Sequence, residues 1–454
     1  DEVAPRLLTQ PVQLSILQVV WPIFLGNFFQ LLVNWTILKE VGDLGALEIA
    51  GYGLSRTIIM WAGSGFWALA TGTLALVARY IGARQSELVQ RVVYQSYLLA
   101  LTLTGGMALL GQLAAPALLR FFSGDEALVA VATVLLRLYF WAMVFMVCWF
   151  FTTSILRAAG ETKLAMFLQI PVNLVQLLLT LALVSGWGPL PRLGVAAVAV
   201  SLLLSRLLGI AGGVGLMVGG RTAVPLRPPK ARDLVPDWSM LRKIVTLGIP
   251  NSVEGIARNT ANMVILRIIG LTAMGTYALS AYTVGMQLEL AFGMVGMAFS
   301  TAAAALVGQN LGAGNPGRAE ASGLMTARYA AYVFAAFGAV ALLFPHQLIR
   351  LFAAEEPVIV LGAAYLRMLG LVSPLYAAAV VFAGALRGAG DTRAPMFIST
   401  LAIWGAQLPL AYWLAQHTPL GSYGVWTAIG LGWTLSGVGM LWRFRGGSWK
   451  AVAL

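Results

Sequence analysis

Charged residues are scarce in this sequence. Aspartate, glutamate, lysine and arginine make up 10% of its 454 residues, and 59% are hydrophobic, whereas a soluble domain usually carries about 25% charged residues. A soluble fold of this composition would have to expose a large apolar area to water. The composition therefore excludes a soluble enzyme or a nucleic-acid-binding protein, despite a net charge of +12, and it indicates an integral membrane protein with many spans.

Cysteine and histidine are almost absent as well. The single cysteine, Cys148, excludes an intramolecular disulfide and a cysteine-based metal site, and the two histidines, His346 and His417, are far apart in the sequence. The patterns G-x-x-x-x-G-K-[ST], H-E-x-x-H and G-x-S-x-G do not occur, so nothing indicates a nucleotide-driven motor, a zinc protease or a serine hydrolase. We therefore predict that the protein is not an enzyme and that it holds no cofactor or metal ion.

Twelve apolar stretches are each long enough to cross a membrane as a helix, which needs about 20 mostly apolar residues. No stretch alternates polar and apolar residues over about ten positions, as the strands of a membrane barrel do. We predict an all-α integral membrane protein with twelve transmembrane helices, near residues 13–38, 46–79, 92–115, 127–156, 163–186, 194–218, 243–269, 276–308, 322–345, 357–386, 395–415 and 423–444.

The loops between these stretches differ in charge. Twelve spans put both termini on one side of the membrane, and the loops on that side carry most of the lysines and arginines, Arg157 and Arg387 among them. The opposite side carries only Lys39, Arg120, Arg192, Arg267 and Arg350. Because cytoplasmic loops are enriched in positive residues, we predict a multi-pass protein of the cell inner (cytoplasmic) membrane with both termini in the cytoplasm. Its basic charge then indicates contact with anionic membrane lipids and no nucleic-acid partner.

The chain contains an internal repeat. Residues 156–167 match residues 386–397 at seven of twelve positions, with an offset of 230, and Pro22 and Asn34 match Pro250 and Asn262 at an offset of 228. We predict two homologous six-helix halves, residues 1–218 and 240–454, joined by a polar cytoplasmic linker at 219–239. An even number of spans in each half makes the repeats parallel, and such pairs enclose a central chamber with alternating access. This organisation is typical of a secondary transporter.

Several motifs resemble one family of transporters. Both copies of L-R-x-A-G-[ED]-T, together with residues 248–254, 306–314 and 424–426, are similar to the multidrug and toxic compound extrusion (MATE) transporters, and above all to their prokaryotic branch. The resemblance covers essentially the whole chain. It implies two six-helix lobes around a chamber, and export of small organic cations in exchange for protons or sodium ions. We expect the protein to act as a monomer.

The N-terminal half departs from that family. Many prokaryotic members carry an aspartate in the first span, and an asparagine and an aspartate in the fifth, that complete a proton or cation site. The matching positions are Asn34, Gln176 and Thr180, and an amide or a hydroxyl does not exchange protons at physiological pH. The resemblance therefore predicts that this coupling site is lost. Trp35 lies beside it and is a candidate for stacking on a flat cation.

Two acids lie within predicted spans of the second half, Glu254 and Glu289. A charge at membrane depth costs about 2.5–3.5 kcal/mol, so it normally faces a cavity and has a partner. Family members that resemble this chain carry acids at both positions. We hypothesise that Glu254, with Glu289, binds the coupling proton or the cationic substrate, which makes binding of the two competitive and yields antiport. Glu254 follows Pro250 by four residues, and the equivalent residue after Pro22 is Gly26.

Two alternatives remain open at this point. Arg258 lies one helical turn after Glu254, so the pair could be a purely structural ion pair, or Arg258 could attract an anionic or zwitterionic substrate. Asn259 and Gln287 are polar candidates for the chamber wall or for bonds between helices. The sequence therefore favours an ion-driven exporter of amphipathic organic cations. The alternative function is a flippase or exporter of a lipid-linked or anionic metabolite on the same two-lobe fold.

Overall fold

The computed structural model describes residue 8, residues 10–122, 125–224, 226–229, 233, 235–352 and 355–452. Residues 1–7 and 9 of the predicted first half, residues 225, 230–232 and 234 of the predicted linker, and residues 123–124, 353–354 and 453–454 lie outside the described residues. Every regular element in the described ranges is a helix. The predicted all-α membrane fold is confirmed.

Six long helices form the first half of the chain: α1 (Val12–Gly42), α2 (Ala46–Gly82), α3 (Ser86–Phe122), α4 (Glu126–Ala158), α5 (Thr162–Ser185) and α6 (Ala196–Val218). The second half begins with α7 (Trp238–Gly270), α8 (Gly275–Gly312), α9 (Pro316–Leu343), the short α10 (Pro345–Arg350) and α11 (Glu356–Gly388). Helix α12 (Arg393–Thr400) continues through a π-helical segment, Leu401–Gln407, into α13 (Leu408–His417), and α14 (Ser422–Arg445) is followed by a 3₁₀ turn at Ser448–Ala451.

A helix occupies each of the twelve predicted positions. Within the described residues, eleven helical segments are long and apolar enough to cross a membrane. Helix α7 is long enough but less apolar, because Arg242, Lys243, Glu254, Arg258 and Arg267 lie along it. The stretch predicted at 395–415 is interrupted by the π-helical segment, which accommodates one extra residue in a turn and often marks a functional site.

The repeated L-R-x-A-G-[ED]-T motif ends a helix in the same way in both halves. Gly160 and Gly390 have φ of 83° and 92°, a conformation that glycine adopts without steric cost. The next N–H, from Glu161 or Asp391, donates to the carbonyl of Leu156 or Leu386 at 2.9 Å. This is the Schellman arrangement that satisfies the last carbonyls of a helix. The motif therefore sets where α4 and α11 stop and places Arg157 and Arg387 in their last turns.

The chain divides into two compact units. The N-terminal unit holds Trp21–Ile249, and the C-terminal unit holds the chain from Pro250 together with the part of α1 up to Val20. Helices α1 and α7 are therefore each shared between units, and the division falls beside Pro22 and Pro250, the prolines inside these two helices. A proline inside a helix removes one backbone hydrogen bond and lets the axis bend.

One central helix organises each unit. In the N-terminal unit, α4 packs against α2, α3 and α6, and in the C-terminal unit α11 packs against α8, α9 and α14. Small residues allow these helices to approach closely. At the crossing of α9 and α11, a Cβ atom on Gly370 would lie 2.6 Å from the carbonyl oxygen of Gly338. The backbones there are too close for any larger residue.

We expect Gly370→Ala to lower the melting temperature of the purified protein in detergent. Overpacking of a close crossing costs about 1–3 kcal/mol, which exceeds the gain of about 1 kcal/mol from replacing glycine inside a helix. The matched control is Gly255→Ala, since a Cβ on Gly255 of α7 meets no atom within 4 Å. Equal melting temperatures for the two variants would contradict the proposed close packing.

Candidate functional site

Glu254 lies in a buried ion triad of the C-terminal unit. Its side chain is 3% exposed; Oε1 accepts a bond of 2.6 Å from Nη2 of Arg258, and Oε2 accepts one of 2.6 Å from Nη2 of Arg387. Ser399 of α12 also hydrogen-bonds to this carboxylate. Both oxygens of Glu254 are thus held by guanidinium groups, which ties α7 to the end of α11 and to α12.

The position of Arg387 corrects the charge analysis of the loops. Arg157 and Arg387 were both counted among the cytoplasmic loop cations, but they lie in the last turns of α4 and α11, and the structure buries them to 5% and 18% exposure. A guanidinium group so placed has to find acceptors inside the bundle. The repetition of this arginine at a fixed offset of 230 was the sequence signal that could have indicated a buried, structural role.

A pocket of about 200 Å³ lies within the C-terminal unit. It is bordered by α7, α8, α11, α12, the π-helical segment and α14. Its wall combines one acid, one guanidinium, several aromatic rings and a few small or polar groups. The lining residues are Arg258, Asn262, Tyr282, Met286, Glu289, Leu290, Gly293, Tyr376, Ser399, Ile403, Gln407, Ile429, Gly432, Trp433 and Ser436.

Glu289 is the acid of this pocket. The hydroxyl of Tyr365 donates to its Oε2 at 2.6 Å, and among the described residues no donor is found for Oε1. Tyr365 is held in turn by Tyr282 and Trp426, whose ring centroids lie 5.6 and 5.1 Å from its own. Glu289 is therefore oriented by one hydrogen bond on a packed aromatic support, while its second oxygen remains available to the pocket.

Arg258 brings a positive charge to the same pocket. Its guanidinium is 40% exposed, is bound to Glu254, and lies over the ring of Trp433 at 5.9 Å. Cation–π attraction at such a distance favours this orientation. Because Glu254 already holds Arg258, the pocket combines a partly neutralised guanidinium with the carboxylate of Glu289. Among the described residues, no three histidine, cysteine, aspartate or glutamate side chains lie together as a metal site would need.

The predicted site residues fall in different places. Glu254 and Arg258 form one pair, and Arg258 and Glu289 line one pocket. Asn259 and Gln287 are exposed and lie outside the lining, so neither is a wall residue of this pocket. The sequence analysis missed the aromatic wall and Tyr365, because tyrosine and tryptophan are common in membrane helices and carry no distinctive spacing.

The N-terminal candidates belong to the other unit. Gln176 is buried and accepts a hydrogen bond of 2.9 Å from Arg206 Nη2, and Thr180 is buried 2.6 Å from the hydroxyl of Ser201. The hydroxyl of Thr180 also donates to the Gln176 carbonyl at 2.8 Å. Asn34 is half-buried and Trp35 is 58% exposed. Gln176 and Thr180 therefore take part in helix packing, with Arg206 as a partner that the sequence analysis did not place there.

This combination of helices and buried ionisable groups defines a class. A multi-pass helical bundle with an acid, a guanidinium and aromatic rings around an internal pocket is the arrangement expected of a membrane transporter. The sequence model of the MatE family matches the chain twice, over residues 22–180 and 250–413, which together exceed half its length. The chain belongs to the MatE family of transporters.

Relatives cover almost the whole chain. The uncharacterized transporter YisQ of Bacillus subtilis is 25% identical over 435 residues, which are 96% of this chain and 94% of YisQ. The probable multidrug resistance protein NorM of Thermotoga maritima is 26% identical over 457 residues, covering 99% of this chain and 96% of NorM. A transporter of the MOP superfamily from Pyrococcus furiosus, whose binding pocket is described as having reverse polarity, superposes with a TM-score of 0.88 over 99% of both chains at 23% identity. At that identity the likeness concerns the fold.

We expect Glu254→Gln to destabilise the protein by about 3 kcal/mol, because removing one partner of a buried ion pair leaves uncompensated charge. The melting temperature in detergent measures this effect. The matched control is Glu356→Gln, whose pair with Arg350 joins side chains that are 65% and 61% exposed and is worth less than about 1 kcal/mol. Equal shifts for both variants would contradict a structural role for the triad.

Proposed function

We propose that this protein is an ion-gradient-driven antiporter that exports amphipathic organic cations or drugs in exchange for H⁺ or Na⁺ by alternating access. Membership of the MatE family supports multidrug efflux, and the names of relatives such as NorM agree with it. The observation that carries the proposal is the pocket at Glu289, where an acid with one oxygen available lies among the rings of Tyr282, Tyr376 and Trp433.

We assign the exchange of coupling ion for substrate to Glu289. In its ionised form, the carboxylate attracts an organic cation whose flat apolar part packs on the aromatic wall. A proton or sodium ion at the same carboxylate removes that attraction, so the coupling ion and the substrate compete for one site. Glu254 is assigned a different role from the one first hypothesised: its two guanidinium partners make it the anchor of Arg258 rather than an exchanging group.

The proposal includes the arrangement in the membrane. The two homologous six-helix lobes, residues 1–218 and 240–454 with the linker at 219–239, would lie in the bacterial inner membrane with both termini in the cytoplasm. The bias of lysine and arginine among the loops supports this orientation. The protein would act as a monomer, without a cofactor, in contact with anionic lipids.

One observation favours a second candidate function. Arg258 is 40% exposed and lines the pocket, and a guanidinium group is well suited to a carboxylate or phosphate. The related fold from P. furiosus is described as a transporter whose pocket polarity suggests a different function. The second candidate is therefore a flippase or exporter of a lipid-linked or anionic metabolite.

The test uses inside-out vesicles that contain the protein and the fluorescent cation ethidium. We expect dye accumulation under an imposed pH gradient or sodium gradient, and loss of accumulation when that gradient is collapsed. The gradient that works identifies the coupling ion. Absence of accumulation under both gradients, with folded protein verified, would contradict cation export and favour the anionic or lipid-linked substrate.

We expect Glu289→Gln to abolish gradient-dependent accumulation of ethidium, because an amide carries no negative charge to attract either cation and does not exchange a proton. Tyr365→Phe is expected to retain transport at a reduced rate, since it removes one hydrogen bond and leaves the acid. Glu356→Gln, which changes an exposed acid of the same unit, serves as the control. Wild-type transport by Glu289→Gln would refute the assignment of the exchange site.

A further inference from the structure

Arg206 of α6 is a cation buried inside the N-terminal unit. It is 2% exposed, and its Nη1 and Nη2 donate to Asn173 Oδ1 and Gln176 Oε1, both at 2.9 Å. Within the described ranges, no carboxylate lies at ion-pair distance from this guanidinium. Its positive charge is therefore held by two neutral amide oxygens of α5, which do not gain or lose protons.

A second buried arginine of the same unit is held in the same way. Arg157 is 5% exposed, and its Nη2 donates to Gln169 Oε1 at 3.0 Å. The amide of Gln169 then donates to the carbonyl of Gly26 at 3.2 Å. A Cβ atom on Gly26 would lie 3.0 Å from Gln169 Oε1, so the amide of Gln169 fills the space where a side chain at position 26 would begin.

The repeat shows what these positions hold in the C-terminal unit. The counterpart of Arg157 is Arg387, and that of Gly26 is Glu254, so the same arginine meets a carboxylate there at 2.6 Å. The counterpart of Gln169 is Ser399, which is short enough to leave room for that carboxylate. Each unit thus contains the same arginine, but the acceptor is a carboxylate in one unit and an amide in the other.

The same comparison applies to Arg206. At offsets of 230 and 231 its counterparts are Ser436 and Gly437, both small and uncharged, and Ser436 lines the pocket. Gln407, also in the pocket wall, matches Gln176 at an offset of 231, which is the shift that one extra residue in the π-helical segment produces. In the C-terminal unit, these residues of the π-helical segment and α14 border an open pocket. In the N-terminal unit, the corresponding space between α5 and α6 is occupied by the side chain of Arg206.

We propose that Arg206 is a tethered cation that occupies the N-terminal unit's copy of the cation pocket, so that exchangeable cations bind in the C-terminal unit alone. The occupation of this site by Arg206 is argued from its hydrogen bonds and from the repeat. The restriction of exchangeable cations to the C-terminal unit rests on the proposed antiport function. A guanidinium group on the chain itself satisfies the amide oxygens that would otherwise be available to a small organic cation or a sodium ion.

The direct test replaces Arg206 with alanine and supplies free guanidinium from solution. We expect Arg206→Ala to melt several degrees below the wild type in detergent, because two buried amide oxygens lose their donors. Millimolar guanidinium chloride should restore most of that loss in this variant and none in the wild type. Tetramethylammonium chloride at equal ionic strength should not, because it is bulkier and has no N–H donor.

The matched control is Arg137→Ala in the same unit. Arg137 is exposed and its Nε donates to the carbonyl of Gln112 at 3.0 Å, so its removal leaves no enclosed site for guanidinium. Restoration of both variants, restoration by tetramethylammonium, or failure of guanidinium to restore Arg206→Ala would overturn the proposal. A variant that cannot be purified with or without guanidinium counts against it as well.

A second pair of variants tests the site without relying on rescue. Gln176→Asp retains Arg206 and should form an ion pair with it, so we expect its melting temperature to be independent of sodium at constant ionic strength. Gln176→Asp combined with Arg206→Ala leaves the new carboxylate without its cation, and sodium or acid should then raise the melting temperature. Sodium dependence of the single variant, or its absence in the folded double variant, would overturn the proposal.

These measurements are made on purified protein and need no transport. Failure of ethidium accumulation would therefore contradict the proposed function and leave the assignment of Arg206 intact. Conversely, normal transport together with failed guanidinium rescue would retain the antiport proposal and remove the tethered cation.

Discussion

A guanidinium group inside a membrane bundle has to be surrounded by acceptors, because the surrounding lipid and apolar side chains offer none. Among the described residues, several buried arginines find acceptors on neighbouring helices: Arg387 with Glu254, Arg157 with Gln169, and Arg206 with Asn173 and Gln176. Each arginine ties its own helix to at least one other. The rotation of these helices about their axes, and hence the side chains that face the interior, depends on these bonds being made.

The two units show how one backbone arrangement supports different chemistry. The Schellman ends of α4 and α11 place Arg157 and Arg387 equivalently, and the central helices pack against corresponding partners. The acceptors differ: a serine at 399 leaves room for Glu254, while a glutamine at 169 closes the space beside Gly26. Arg157 and Arg387 recur at the same position of the repeat, and the N-terminal unit has a neutral acceptor for this arginine where the C-terminal unit has a carboxylate.

Charge in the C-terminal pocket depends on a chain of contacts rather than on one residue. Arg387 and Arg258 both bind Glu254. The carboxylate of Glu254, which lies outside the pocket lining, therefore partly neutralises the positive charge that Arg258 brings to the pocket. Tyr365 orients Glu289 from the opposite side of the pocket wall and leaves one oxygen available. The pocket thus contains both an anchored guanidinium and an acid with one oxygen available, the two opposite charges on which the cationic and anionic substrate proposals depend.

The sequence by itself determined the membrane class, the twelve helical positions, the repeat offset and the family, because apolar runs, glycine at helix ends and repeated motifs are local signals. It also singled out Glu254, Glu289 and Arg258, since a charge within an apolar span is conspicuous. It did not reveal that Arg387 meets Glu254 across 133 residues, that Tyr365 supports Glu289, or that Gln169 fills the space beside Gly26. Only the tertiary structure decided these pairings, because they depend on how packed helices are rotated and how closely they approach, and no local pattern encodes those quantities.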